Sequence, residues 1–591
     1  AGTIVVFTDC DSGSRSVSTG SLSAESGTFN LSGGGDALYA YTGSSSTNIT
    51  TWLAGIQNES NNEGSNFSNT SLTVGTTFIN YFSSGSPDGG YYSGSRTGQS
   101  SFSGYLTLLG NNSNWTTETS NGENILPIST TAFISDLTVS SNTTISDSRT
   151  YANLTVNAST TLTIAKEGDV TVNTSITNNG TIVLNSDSNE FAVLISKASS
   201  TTITYNRYVN VVGTDNWDLI GSPVIGQTFS GFVTANSSTL ATNGSGPVEY
   251  AIGVYDNSDD TWDNYDADTV GSDTFDIGKG YAMASVSGGV EGTAGLLAFT
   301  GTTAIVDQTQ AIINNASSGR RWNLIANPFP SFINANDDTH DTNNFLTANV
   351  NNIDSEYLAV YGYDGDGVGT EYTAYGHDYN SNDTPVYIAP GQGFMVASDN
   401  TSAGDAASFT EAMQSVSGSD DFISGISGDA MDPVNTLLLR LYHGDQEIEG
   451  IRIKFKENMT TGLDPGYDAS LLGGVAPSFA IFSHLVEDNI NVPFATQAIG
   501  ETDYNDTTIA LGVNANMGEQ LTFSITENTL PTSIEVYLDD TFANTSTLLN
   551  TSDYIFTPAE NSMSFPLNCP GCWYPEEWAS CSNSFLNPLI Y

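Results

Sequence analysis

Basic residues are what this chain most lacks. Lys and Arg number 13 in 591 residues against 65 Asp and Glu, for a formal net charge of −52. Binding nucleic acid or an anionic lipid surface needs cations to neutralise phosphates. Neither partner fits this sequence. Histidine is as scarce, with 4. His340, His377, His443 and His484 stand apart, in no HExxH or related metalloprotease spacing. Cysteine also numbers 4, too few for a disulfide scaffold in a chain this long. No apolar run approaches the ~18–20 residues of a helical membrane span. Helix-forming stretches are nearly missing, and the most helix-like piece, 50-TTWLAGIQN-58, is short. No GxSxG elbow or Cys–His pair stands out, so the chain reads as a non-enzyme. It starts at Ala1 without a basic and apolar leader, as expected once a signal peptide is removed or when the start lies further upstream.

Strand and turn residues fill the space left by helix formers. Thr, Val, Ile, Tyr and Phe favour strands, while Gly, Asn, Asp and Ser favour turns. Hydrophobic residues make up 38%, enough to bury cores and exclude full disorder. The fold class expected is all-β, with tandem β-sandwich domains.

The chain divides by rhythm. Residues 1–130 read as a small β-sandwich, with 3-TIVVFT-8 and 28-TFNLSGGGDALYAYTG-43 as strands around a Gly-rich turn. Residues 131–205 carry short triplets, 137-LTV-139, 154-LTV-156, 162-LTI-164, 170-VTV-172 and 182-IVL-184, between polar turns. A short β-solenoid, with Asn residues stacked in ladders, a β-meander and a plain sandwich sheet all fit that pattern. Residues 206–305 and 306–415 are an internal repeat. The first copy holds 216-NWDLIGSP-223, 253-GVYDNSDDTWDNY-265 and 278-GKGYAMAS-285. The second holds 321-RWNLIANPFPS-331, 359-AVYGYDGDG-367 and 390-PGQGFMVAS-398. Trp217 and Trp322 lie 105 residues apart, Tyr255 and Tyr361 106, and Gly280 and Gly393 113. That offset is one β-domain length, with the two tryptophans as core anchors. Residues 416–432 read as a linker, 433–565 as a C-terminal β-sandwich, and 566–591 as a tail that fits no unit.

The paired NWDLIGSP and RWNLIANPFPS segments, each followed by GKGYAMA or PGQGFMV, resemble the repeat of large secreted proteins of Bacteroidota. Such proteins are typically exported by the type IX secretion system. The segment 202-TITYNRYV-209 looks like that family's junction, and 28-TFNLSGGGDALYAYTG-43 like part of its lamin-tail-like N-terminal domain. The stretch 536-VYLDDTFANTSTLLNTSDYIFTP-558 looks like its penultimate C-terminal β-domain. The resemblance implies an extracellular, cell-surface location and the type IX secretion machinery as a partner. Two departures from the family's pattern are what a fragment or a processed form would be expected to show. The first half of the N-terminal domain is missing, as is a Pro-Asn-Pro sorting domain. Asp268-Thr269-Val270 and Asp506-Thr507-Thr508 resemble the Asp-Ser/Thr-apolar site where Bacteroidota attach O-glycans, which implies glycosylation at Thr269 and Thr507.

Acidic clusters carry the remaining chemistry. Asp256, Asp259 and Asp260 fall in one repeat's loop and Asp364 and Asp366 in the other's. Closely spaced Asp with carbonyls at a Gly turn can supply the six to eight oxygens calcium takes. Calcium is therefore the cofactor expected, although the bidentate Glu of an EF-hand is missing. A solvated acidic loop is the plainer alternative. Trp262, Tyr265, Tyr363 and Tyr372 lie near these loops and could stack on sugar rings or pack as half-buried strand aromatics. Cys569, Cys572 and Cys581 cluster in the tail, as a local disulfide of unspecified pairing rather than a zinc site, since no fourth ligand is near. The function expected is a secreted cell-surface structural or adhesive protein, as a stalk, adhesin or filament subunit. Its partners would be surface polysaccharide or further copies of itself. The alternative is a noncatalytic carbohydrate-binding or accessory region of a secreted hydrolase.

Overall fold

A computed structural model describes residues 7–8, 16–17, 37–45, 48–57, 67–80, 90–117, 129 and 131–568. Within the last span it leaves out 213–216, 245, 260, 287–294, 316–320, 337–342, 364–371, 378–384, 400–404, 419, 422–434, 445, 475, 477, 489–491, 502–506 and 560. The protein is all-β, as the composition indicates. At its N-terminal end β1 (Ala37–Ser45), β2 (Asn48–Gln57) and β3 (Phe78–Asn80) form a small mixed sheet. The helix-like stretch read from residue 50 lies in β2 as far as Gln57, because that strand's backbone pairs along the whole of β1. Tertiary pairing here overrides local propensity. A true helix, α1 (Phe102–Leu109), follows.

The triplet region is a two-sheet parallel solenoid. Successive strands alternate between sheets: β4 (Leu137–Val139), β5 (Thr143–Ile145), β6 (Ser148–Val156), β7 (Thr161–Ile164), β8 (Asp169–Asn178), β9 (Thr181–Asn185), β10 (Val193–Ser196) and β11 (Thr202–Tyr208). One sheet runs β10-β8-β6-β4 and the other β11-β9-β7-β5, with every neighbouring pair parallel. The triplets are the inward and outward residues of stacked rungs, so Leu154, Leu162, Val170 and Ile182 are all buried. Polar ladders join the rungs. Asn153 Nδ2 donates to Asp136 Oδ1 at 2.9 Å, and Ser175 Oγ donates to Asn153 Oδ1 at 2.7 Å.

The first repeat contains β12 (Asp218–Ile220), α2 (Phe229–Ala235), β13 (Glu249–Asp256), β14 (Thr261–Asp266), β15 (Tyr281–Met283) and β16 (Leu296–Thr302). The second contains β17 (Trp322–Ala326), α3 (Phe345–Asn349), β18 (Val360–Tyr363), β19 (Tyr372–Tyr375), β20 (Gly393–Ala397) and β21 (Ala406–Phe409). Their central sheets have the same order, β12-β15-β13-β14 and β17-β20-β18-β19. The repeats do not stand apart from their surroundings. Strand β16 adds antiparallel to β11 and closes one solenoid sheet. One continuous core runs from Val139 in the solenoid to Phe299 in the first repeat. The second repeat covers the other solenoid sheet, where Leu194 N–H donates to Pro330 O at 2.8 Å. Unpaired solenoid edges invite association with other strands, and these two are covered by the repeats.

The C-terminal unit rolls an 11-stranded sheet around its own core, from Leu437 to Phe556. The strands read at 435-NTLLLRLY-442 and 449-EGIRIKFK-456 pair along their length within it.

Candidate functional site

The signature segments of the two repeats meet at one seam. Ile220 of β12 bridges to Gln392, and Ile325 of β17 bridges to Lys279. Gly221 N–H donates to Gly391 O at 2.8 Å, and Ala326 N–H donates to Gly278 O at 2.8 Å. Positions 221 and 326 are equivalent in the repeats, as are 278 and 391, so the seam has an approximate two-fold axis. Gly278 and Gly391 have φ of 80° and 67°, in the region that favours glycine. A Cβ on Gly280 would lie 2.6 Å from Leu324 Cγ, and one on Gly393 would lie 2.7 Å from the Leu219 carbonyl carbon. The two GxG motifs thus join backbones rather than cradle a ligand.

An apolar band spans the outer faces of both sheets. Leu219, Ala282, Leu324, Tyr361 and Met395 form it, with Trp217, Trp322, Tyr255, Tyr363 and Tyr372 half-buried against it. The tryptophans anchor this band, and Trp322 packs edge-on to Tyr361 at 4.8 Å. Strand register corrects one motif correspondence. Gly253 pairs with Ala282, and Tyr361 pairs with Met395. Ala282 and Met395 are equivalent, so Gly253 stands where Tyr361 does, and Tyr255 where Tyr363 does. The Val-Tyr motif alignment is off by two residues, a slip that keeps every side chain on its face. The cross-strand pairs Tyr255–Trp262, at 5.3 Å, and Tyr363–Tyr372, at 5.1 Å, are therefore counterparts.

The two faces end differently. In the second repeat Tyr361 lies beneath the C-terminal unit, and its hydroxyl donates to Ser470 O at 2.9 Å. Ser470 Oγ donates to Glu356 O at 2.9 Å. In the first repeat Gly253 has no side chain, and Trp262 leans over it. A Cβ built there would sit 3.6 Å from Trp262 Cε3 and 3.0 Å from Asn264 Oδ1. Trp262 is 43% exposed, the only tryptophan among the described residues left so open. Tyr265 faces inward instead and stacks on Phe229 at 4.3 Å.

The acidic hairpin beside Trp262 is built by its own carboxylates. Asp256 Oδ1 accepts from Ser258 N–H at 2.8 Å, and Asp259 Oδ1 accepts from Thr261 Oγ1 at 2.5 Å. The bonds from Ser258 hold the Asp256 carboxyl below its ordinary range. Asp260, Asp364 and Asp366 lie outside the described residues, as do Cys569, Cys572 and Cys581. Among the described residues, no three His, Cys, Asp or Glu side chains gather into a group that could hold a metal ion. Thr269 is exposed, in a turn where its hydroxyl donates to Asp266 Oδ1 at 2.8 Å. Thr507 is buried, at 6% exposure.

Two polar assemblies lie beyond the expected residues. Arg207, fully buried in the junction segment, donates from Nε to Pro390 O at 2.8 Å, from Nη1 to Tyr208 O at 2.7 Å, and from Nη2 to Asp421 Oδ2 at 2.9 Å. Its guanidinium also lies over the Phe191 ring at 4.3 Å. The stretch read as a linker is thus anchored at Asp421. Nearby Asp218 accepts from Asn210 N–H at 2.6 Å and from Asn210 Nδ2 at 2.8 Å. Burial, reinforced by the Asp421 charge, pushes its carboxyl up to about 7. The second assembly is an asparagine clamp found in both repeats, at Asn236 and Asn349. Its sequence signal is a pair of near-identical pentapeptides, 232-FVTAN-236 and 345-FLTAN-349.

Residues 107–565 match the sequence model of a family described as Domain of unknown function (DUF8693). No curated protein and no solved structure matches the chain.

Proposed function

This chain belongs to the DUF8693 family, and from that premise we propose that it is a secreted cell-surface structural or adhesive protein exported by the type IX pathway. One observation carries the reading: from the solenoid onward, the β units are locked to one another by buried contacts. The solenoid hands over to the first repeat through the β11–β16 pairing. Arg207 ties the solenoid to the second repeat and to Asp421. Tyr361 and Ser470 tie the second repeat to the C-terminal unit. Tension along this part of the chain meets packed cores and hydrogen bonds at these junctions. The acidic exterior opposes uncontrolled aggregation of a β-rich protein.

The test is localisation in the source bacterium. An antibody raised against the folded protein labels intact cells, and the label disappears when the type IX machinery is inactivated. Label seen only after lysis would overturn the reading.

A further inference from the structure

We infer that the outer face of the first repeat is a stacking platform for a neutral polysaccharide, centred on Trp262. It gives the adhesive reading a ligand and rests on that reading for its biological setting alone.

The two repeats supply an internal comparison. In the second, the face is filled by Tyr361 and Met395 and closed by the C-terminal unit at Ala469 and Ser470. In the first, Gly253 and Ala282 occupy those two positions. With no side chain on Gly253, the Trp262 indole settles over the strand. One side of the ring packs against Gly253 and Tyr255. The rest faces solvent, with Asn264 exposed beside it. An indole held this way presents an apolar face to the C–H bonds of a pyranose ring, and a neighbouring amide can both donate to and accept from sugar hydroxyls.

Charge selects among occupants. Asp256 and Asp259 are exposed in the hairpin that carries the ring, in a chain of net charge −52. Anionic glycans and a second copy of this acidic chain are both repelled at such a face. A neutral hexose or pentose polymer meets no such barrier.

The experiment uses the full chain and three variants, Trp262→Ala, Trp262→Phe and Tyr363→Ala, in native gels cast with barley β-glucan, xylan, dextran or alginate. The expected result is retardation by at least one neutral polymer, weakened more than tenfold in Trp262→Ala. Trp262→Phe would restore part of it, and Tyr363→Ala would leave it unchanged. Alginate would give none. No retardation by any neutral polymer, equal retardation of Trp262→Ala, or preference for alginate would overturn the inference. So would sedimentation showing a dimer that Trp262→Ala dissociates, since a second copy would then be the occupant. Purified protein is used throughout, so a failure here is separable from a failure of surface display.

Discussion

Asn236 and Asn349 make the same three hydrogen bonds in the two repeats. Asn236 Nδ2 donates to Phe232 O at 3.0 Å and to Ala298 O at 3.1 Å, and its Oδ1 accepts from Ala298 N–H at 2.7 Å. Asn349 Nδ2 donates to Phe345 O and Ser408 O, both at 2.9 Å, and its Oδ1 accepts from Ser408 N–H at 2.7 Å. Each side chain closes the end of a short helix and fastens it to a strand, β16 or β21. A helix this short has little stability of its own, so the clamp and the buried phenylalanine beside it hold it in place.

Replacing either asparagine by alanine strands a part-buried strand carbonyl and N–H, those of Ala298 or Ser408. Each such group costs about 1–3 kcal/mol when left unpaired. Asn236→Ala and Asn349→Ala are each expected to lower the melting temperature by several degrees. Asn→Asp is no rescue, because a carboxylate cannot donate to two carbonyls. Thermal melts followed by circular dichroism check this, and wild-type melting of both alanine variants would show the clamps to be ornamental.

The seam makes a sharper prediction. A methyl group at Gly393 would meet the Leu219 backbone at 2.7 Å, where no flexible side chain can give way. Gly393→Ala is expected to separate the two repeats or to unfold one of them, read as new protease cleavage and a lower melting temperature. Gly271→Ala is the control, because its nearest neighbour would lie 3.9 Å away. Equal behaviour of the two variants would remove the packing account of the GxG motif.

How much of this was legible depends on the range of the interaction. Strand content follows from local residue choice, so the all-β class and the strands at Asn435–His443 and Gln446–Lys456 could be read directly. The solenoid triplets were visible too, but parallel and antiparallel sheets share a period of two. The bulge between Tyr151 and Asn153 also breaks the even rung length that would have marked a solenoid. The repeat was plain in its Trp, LI and GxG marks. The register of β13 was not, because Val-Tyr occurs in both copies two residues out of step. The Arg207–Asp421 pair spans 214 residues and leaves no local trace. The clamp did leave one, in FVTAN and FLTAN, although such a Thr- and Asn-containing pentapeptide is easily lost in a chain of this composition.

Calcium is expected to raise the melting temperature reversibly, through the hairpin loops of the repeats. Asp256 and Asp259 are each engaged by their own turn, so the second repeat's acidic stretch, with Asp364 and Asp366 outside the described residues, is the arm the test separates from the first. Carboxylates converging on a hard cation raise affinity with each charge added. Asp364→Asn with Asp366→Asn is therefore expected to abolish the shift, whereas Asp256→Asn would reduce it only slightly. Identical melting curves in EDTA and in millimolar calcium would remove the ion from the account.

The buried junction predicts how stability varies with pH. Asp218 keeps its proton up to about 7 in the folded chain, because burial disfavours the charged form. An unfolded aspartate releases it near pH ~4. Between those values the folded state binds the extra proton, so this group's contribution falls as pH rises and is level above about 7. Asp468, raised to about 7 mainly by burial, acts in the same direction. Asp187 opposes them. Its carboxyl is lowered by Lys166 and by the N–H groups of Asn189 and Glu190, so its contribution is lost as pH falls. Subtracting the melting profile of Asp218→Asn from that of wild type isolates one group. The difference is expected to change between pH ~4 and ~7 and to stay flat above. Arg207→Met belongs in the same series. It would leave Asp421 buried without its cation, a loss of about 3–5 kcal/mol for a broken buried pair. Arg207→Lys would not restore it, since one ammonium cannot reach Pro390, Tyr208 and Asp421 with the fixed fork of a guanidinium. A wild-type profile for Asp218→Asn would mean that this carboxyl is ionised in the fold, held so by the two Asn210 donors and the Arg207 charge.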